Sequence, residues 1–189
     1  ALAGFAIVFG ARHLGTTERH EGMVAAIAFE SLVKLAAFLC VGVFVVYGLF
    51  GGLGDIFSQA RARPELADLL HAEQGGAYSW ARWMGLMVLA LCAALVLPRQ
   101  FQVMVVENVH EDHVRRASWM FPLYLLLINL FVLPIALGGL LYFSGGEHNP
   151  EHFVLSLPMA AGQNALALFV FIGGLSAATG MVIVETVAV

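Results

Sequence analysis

The chain has 189 residues, of which 60% are hydrophobic and 12% charged, with a mean hydropathy of +0.86. A water-soluble domain is nearer half apolar and a quarter charged, so the composition excludes that class and makes the lipid bilayer the expected partner. The formal net charge is −4 and no basic stripe exists beyond Arg115–Arg116, which excludes nucleic acid as a partner.

The chain order supports an all-α, polytopic membrane helix bundle, with residues 1–189 forming part of one transmembrane domain. The opening "ALAGFAIVFG" is about half a span and lacks the basic region of a signal peptide. The closing "VIVETVAV" stops inside a helical run, so an internal fragment of a larger polytopic protein is expected. A helix needs about 20 residues to cross roughly 30 Å of hydrocarbon. Four spans fit: Met23–Gly48, Trp83–Leu97 lengthened by Tyr78 and Trp80, Ala117–Phe143, and Ala165–Val184. Cys40 and Cys92 fall in different spans and behave as small hydrophobes, implying neither a disulfide nor a zinc site.

Four segments connect these runs: Ala11–Gly22, Gly51–Tyr78, Pro98–Arg116 and Ser144–Pro158. Arg12, Arg19, Arg99, Arg115 and Arg116 lie in the first and third; Arg61 and Arg63 lie in the second, and the fourth has no Lys or Arg. Only Lys and Arg set orientation, so loops 11–22 and 98–116 are expected in the cytoplasm, with the protein multi-pass in the cell inner membrane. Thr17 can cap the first span and Ser118 the third, leaving Pro122 near a first turn, where a missing N–H costs least. Pro134 falls mid-span and should kink it, because the Leu130 carbonyl loses its partner. In the second segment, Ile56, Phe57, Leu66, Leu69 and Leu70 alternate with charges. Either an interfacial helix or a solvated loop fits that pattern.

Ionisable residues inside apolar runs carry the functional expectations. Glu30 and Lys34 are four apart on one helical face, with the acid N-terminal to the base, the favourable order for a pair. Lys34 lies roughly 16 Å from a helix start at Met23, near the bilayer midplane. A lone charge there costs at least about 3 kcal/mol, so this face should meet a bundle interior or a wet cavity. The pair is either an internal bridge that fixes helix docking or the border of a solute pathway.

"LVLPRQFQVMVVENV" is read as a helix that breaks at Pro98 and resumes, or as the end of a span followed by a surface helix. "GGLSAATG" holds three small-xxx-small pairs, Gly173/Ala177, Gly174/Ala178 and Ser176/Gly180, which permit close helix approach. Ser176 and Thr179 also offer hydroxyl oxygens of the kind a hard cation such as sodium takes. Asn129 is expected to hydrogen-bond across helices, Gln163 and Asn164 to cap the last helix, and Glu185 to lie near its exit. "HEDH", His110 to His113, has its histidines three apart rather than the four of a zinc-protease helix, so a solvated loop is the better reading. No phosphate loop and no nucleophile–base constellation occurs, so no catalytic site and no cofactor beyond a sodium ion is expected.

The strings "FGARHLGTTERHEGMVAAIAFESLVKLAAFLCVG", "LPRQFQVMVVENV" and "RRASWMFPLYLLLINLFVLPIALGG" resemble the sodium/solute symporter family. The similarity is closest to the symporter-like membrane domain of certain bacterial sensor histidine kinases. That resemblance implies an inverted-repeat symporter fold, of which the chain would run from about core helix four to core helix eight. It places the break of core helix six on Leu97–Gln100, where only Gln100 matches the family pattern. It places the sodium stretch of core helix eight at Ser176 and Thr179, one hydroxyl short in either register. Sugar-stacking aromatics would fall on the aliphatic Ala94–Val96, which disfavours sugars.

The expected function is transport or sensing of a small polar solute such as an amino acid, with sodium as candidate coupling ion and a cytoplasmic kinase of the same chain as candidate partner. An ordinary symporter without a kinase, or a transport-inactive anchor, is the alternative. Gln100, Glu30 and Lys34 are the candidate pathway residues.

Overall fold

The structure, a computed structural model, describes residues 21–70, 80–96, 108, 110–143 and 149–187. Among them every regular element is helical, in accord with the all-α reading. Helix α1 (Glu21–Val43) runs directly into a π-helical turn, Phe44–Leu49. Two short helices follow, α2 (Leu53–Ala62) and α3 (Pro64–Leu70). Next come α4 (Trp80–Val96), α5 (Glu111–Leu130) and α6 (Val132–Tyr142). A 3-10 turn at Pro150–His152 leads into α7 (Phe153–Ala160), and α8 (Asn164–Val187) closes the described chain.

Among the described residues three stretches are long and apolar enough to cross a bilayer, one fewer than the four expected: 25 residues from Ala25 to Leu49, 32 from Glu111 to Tyr142, and 19 from Asn164 to Val182. Their outer faces carry large apolar side chains, among them Phe29 (69% exposed), Trp119 (81%) and Leu168 (61%). Water could not wet so much contiguous hydrocarbon without aggregation, whereas lipid tails can. The chain is therefore a membrane protein.

The helix directions follow from the contacts. Gly173 of α8 packs on Ala37 of α1, and Gly180 packs on Glu30, so α8 is antiparallel to α1. Tyr124 meets Ser31, Phe131 meets Gly42, and Gly138 meets Val45, so α5 and α6 run parallel to α1. Between them in the chain, α4 is apolar but shorter than a span: its 17 residues reach about 25 Å, less than the average hydrocarbon thickness. Side chains from Trp80 to Cys92 are exposed throughout, as expected of a helix wrapped in lipid.

Proline chemistry shapes the third span as expected at one site and not at another. The helix breaks at Phe131 (φ −102°, ψ −1°), three residues before Pro134. That is the kink the missing N–H predicts. By contrast α5 starts at Glu111, so Ser118 is no cap: its hydroxyl donates to the Arg115 carbonyl at 2.7 Å, inside the helix. Pro122 then sits in the helix interior. The acidic pair Glu111 and Asp112 complements the dipole at the true start, which explains the earlier onset. Residues 111–116, expected as loop, are therefore helical, and "HEDH" is a first turn with its two imidazoles edge-on at 5.6 Å.

A compact core lies at one end of the bundle, where α1 passes into the π turn. Val41, Val45, Val46, Ile56, Phe153 and Leu157 are all at most 2% exposed. Ile56 is buried and Phe57 packs against this core, so the described part of the second connecting segment is helical, as one of its two readings had it, and turns these two side chains to protein. Likewise the fourth segment is no simple loop, since Phe153–Ala160 forms α7 and buries Phe153, Leu157 and Pro158. Close approach depends on glycine here: a Cβ on Gly139 would overlap the Phe153 ring, and one on Gly42 the Phe131 ring. The expected cap positions at Gln163 and Asn164 coincide with the start of α8, where the Gln163 carbonyl accepts from the Ala167 amide at 2.9 Å. Thr17, Gln100 and loop residues 11–20 and 98–107 lie outside the described residues.

Candidate functional site

The other end of the bundle holds the polar groups. In α1 a single turn presents three carbonyls that accept side-chain hydroxyls instead of serving the helix alone. Ser31 Oγ donates to the Ile27 carbonyl at 2.9 Å. Ser176 Oγ, reaching across from α8, donates to the Glu30 carbonyl at 3.5 Å. Tyr124 Oη, reaching from α5, donates to the Ser31 carbonyl at 3.4 Å. The first is a firm bond and the two interhelical ones are long, hence weak. Two helices, α5 and α8, are thus tied to α1 by hydroxyls, in a place where hydrocarbon would leave those hydroxyls unsatisfied.

Small residues make this meeting possible. Gly173, Ser176 and Gly180 fall on one face of α8, against α1. A Cβ on Gly173 would stand 2.8 Å from the Ala37 Cβ, and one on Gly180 would overlap both carboxylate oxygens of Glu30. The expected close approach through Gly173/Ala177 and Ser176/Gly180 is what the helices do. Gly174 and Ala178 lie off that face, both exposed, and a Cβ on Gly174, at the edge of a cavity, meets nothing within 4 Å.

Glu30 and Lys34 share the α1 face as the four-residue spacing requires, and both are half-buried. They are not joined as an ion pair, which removes the internal bridge from the two readings of this pair. The reason is packing: the Glu30 carboxylate lies over Gly180 on α8, while Lys34 borders a cavity. Lys34 stands ~14 Å along the helix from Ala25, well inside the hydrocarbon depth. Its charge costs at least about 3 kcal/mol there unless a counter-ion or water meets it.

The cavity, of about 430 Å³, opens between α1, α5, α7 and α8. Phe38, Ile128, Val154 and Val170 give it apolar walls, and Lys34, Glu151 and His152 are its ionisable members. Glu151 and His152 sit on the 3-10 turn before α7, which Asn149 caps by accepting the Glu151 amide at 3.1 Å. Sequence reasoning missed both of these residues and Tyr124. The apolar run containing Tyr124 hid its hydroxyl, and nothing in residues 149–152 signals that they return to the bundle.

The two hydroxyls of the expected sodium stretch are not brought together. Ser176 faces α1, whereas the Thr179 hydroxyl donates to its own Leu175 carbonyl at 2.7 Å and is exposed. Asn129 behaves the same way, donating to the Leu125 carbonyl at 2.7 Å within α5 rather than across helices. Oxygen donors near Glu30 therefore come from three helices and not from adjacent positions of one. Gln100 lies outside the described residues, as does the Glu185 side chain. Comparison with protein-family models, with curated proteins and with solved structures returned no match.

Proposed function

We propose that the chain is the membrane-embedded part of a solute carrier or solute sensor. It takes up or detects a small polar solute such as an amino acid, on a scaffold of the sodium/solute symporter type, with sodium as the coupling ion and a kinase domain of the same protein as the responder. The observation that carries the reading is Lys34. A cation at hydrocarbon depth, free of an ion pair among the described residues and bordering a cavity, is expensive to keep for structure alone. The interface between α1 and α8 adds support. It is glycine-lined and bridged by one long hydroxyl bond, Ser176 to the Glu30 carbonyl, so few polar ties would oppose the helix movement of an alternating-access carrier or a switching sensor. Solute can bias such an interface only if it binds its two arrangements with different affinity.

The test is uptake of labelled amino acids into proteoliposomes with and without a sodium gradient, alongside solute-dependent autophosphorylation of the full-length protein. Uptake or a signal that Lys34→Met removes supports the reading. No uptake under either gradient, together with no solute-dependent signal, refutes it.

A further inference from the structure

We infer that the cavity beside Lys34 is the solute site and that it selects a monocarboxylate with an apolar body, Lys34 meeting the carboxylate. This deepens the proposed function and rests on it. The cavity is half-open, with Phe171 and Leu175 at its exposed rim, and its volume of about 430 Å³ falls in the range of small-molecule sites. Apolar side chains arrive from all four helices: Phe38 from α1, Ile128 from α5, Leu155 from α7, and Val170 and Phe171 from α8. Such walls reward a hydrocarbon or aromatic body and give a sugar or polyol few hydrogen-bond partners.

The polar groups narrow the class. Lys34 is the ammonium of the wall, and among the described residues no carboxylate stands within ion-pair distance of it. A ligand carboxylate would provide that counter-ion. Phosphate and sulfate esters are poorer matches, since their several oxygens call for a fork of donors or a row of backbone amides, and one ammonium supplies neither. Glu151, in the same wall, disfavours a second negative group on the ligand. An α-ammonium is compatible with this arrangement and not required by it. Apolar amino acids and aliphatic or aromatic monocarboxylates therefore form one recognised class.

Calorimetric titration of the full-length protein in lipid nanodiscs tests the assignment with four probes: leucine, 4-methylpentanoate, leucinamide and glutamate. Leucine and 4-methylpentanoate should bind. Leucinamide, which lacks the carboxylate, should bind about ten- to a hundredfold more weakly, the worth of a charge-assisted hydrogen bond. Glutamate should be weaker than leucine. Lys34→Met should abolish the preference for leucine over leucinamide, and Lys34→Arg should retain it. Gly174→Leu, whose new side chain starts in open space at the cavity edge, should block every probe while leaving the melting profile in place.

Equal binding of leucine and leucinamide, or a preference that survives Lys34→Met, overturns the inference. Uptake or signalling with a hydrophilic solute but no binding of these probes also overturns it, and leaves the carrier or sensor reading standing. Lys34-dependent leucine binding without uptake or signal does the reverse.

Discussion

Adjacent glycines on α8 should respond to the same substitution with opposite signs. An alanine at Gly173 would bring its Cβ to 2.8 Å from that of Ala37, against about 3.5–4.0 Å for relaxed carbon contact. Both atoms are fixed to helix backbones, so α1 and α8 must part by about 1 Å. That loses a quarter to a half of the dispersion energy of the contacts along this seam. It also carries the Ser176–Glu30 bond, already 3.5 Å long, out of range. Overpacking of this kind costs about 1–3 kcal/mol. At Gly174 the Cβ meets nothing, so only the helix-propensity gain of up to about 1 kcal/mol remains. That gain is common to both sites and cancels in the comparison, so Gly173→Ala should be less stable than Gly174→Ala by about 1–3 kcal/mol. The assay is equilibrium unfolding in mixed micelles of rising denaturing-detergent fraction, followed by circular dichroism and tryptophan fluorescence. Two variants equal within about 0.5 kcal/mol, or Gly174→Ala the weaker, would refute the packing argument.

Three further outcomes follow from the geometry. Because Glu30 and Lys34 stand one helical turn apart without an ion-pair contact, Glu30→Gln and Lys34→Met should couple by less in a double-mutant cycle than the about 3–5 kcal/mol that breaking a buried pair costs; a coupling of that size would mean a bridge in the bilayer. The Asp55 carboxyl is held below its ordinary 3.8, first by Gln59 Nε2 donating at 2.9 Å and then by the Gly51 amide at 3.0 Å. A depressed acid contributes stability above its unfolded value, lost as pH falls through the lower folded one, so its NMR titration midpoint should lie under 3.8 and return towards it in Gln59→Ala. If α4 crosses the bilayer, cysteines introduced at Ser58, in α2, and at His113, in the first turn of α5, must react with an impermeant maleimide from opposite faces. Labelling from one face would exclude that crossing.

How much was legible beforehand can be judged residue by residue. The Phe131 break was readable, because Pro134 removes a donor wherever it sits. That α8 would pack closely on another helix was readable, though not that α1 is the neighbour, because spacing by fours puts small residues on one helical face whatever the neighbour is. Tyr124, Glu151 and His152 were not readable. Each reaches the α1 turn or the cavity only because α5 and α7 come to lie beside α1, and no local pattern encodes that neighbour.

Composition and periodicity alone determined that the chain is helical, that lipid surrounds it, and where the long spans run, since hydropathy and helix pitch are properties of consecutive residues. Tertiary structure alone decided the fate of the ionisable pair. Spacing by four offered Glu30 and Lys34 to each other, yet the Glu30 carboxylate took the bare backbone at Gly180 while Lys34 bordered the cavity. That choice depends on how closely α8 can approach, a distance between segments some 140 residues apart in the chain.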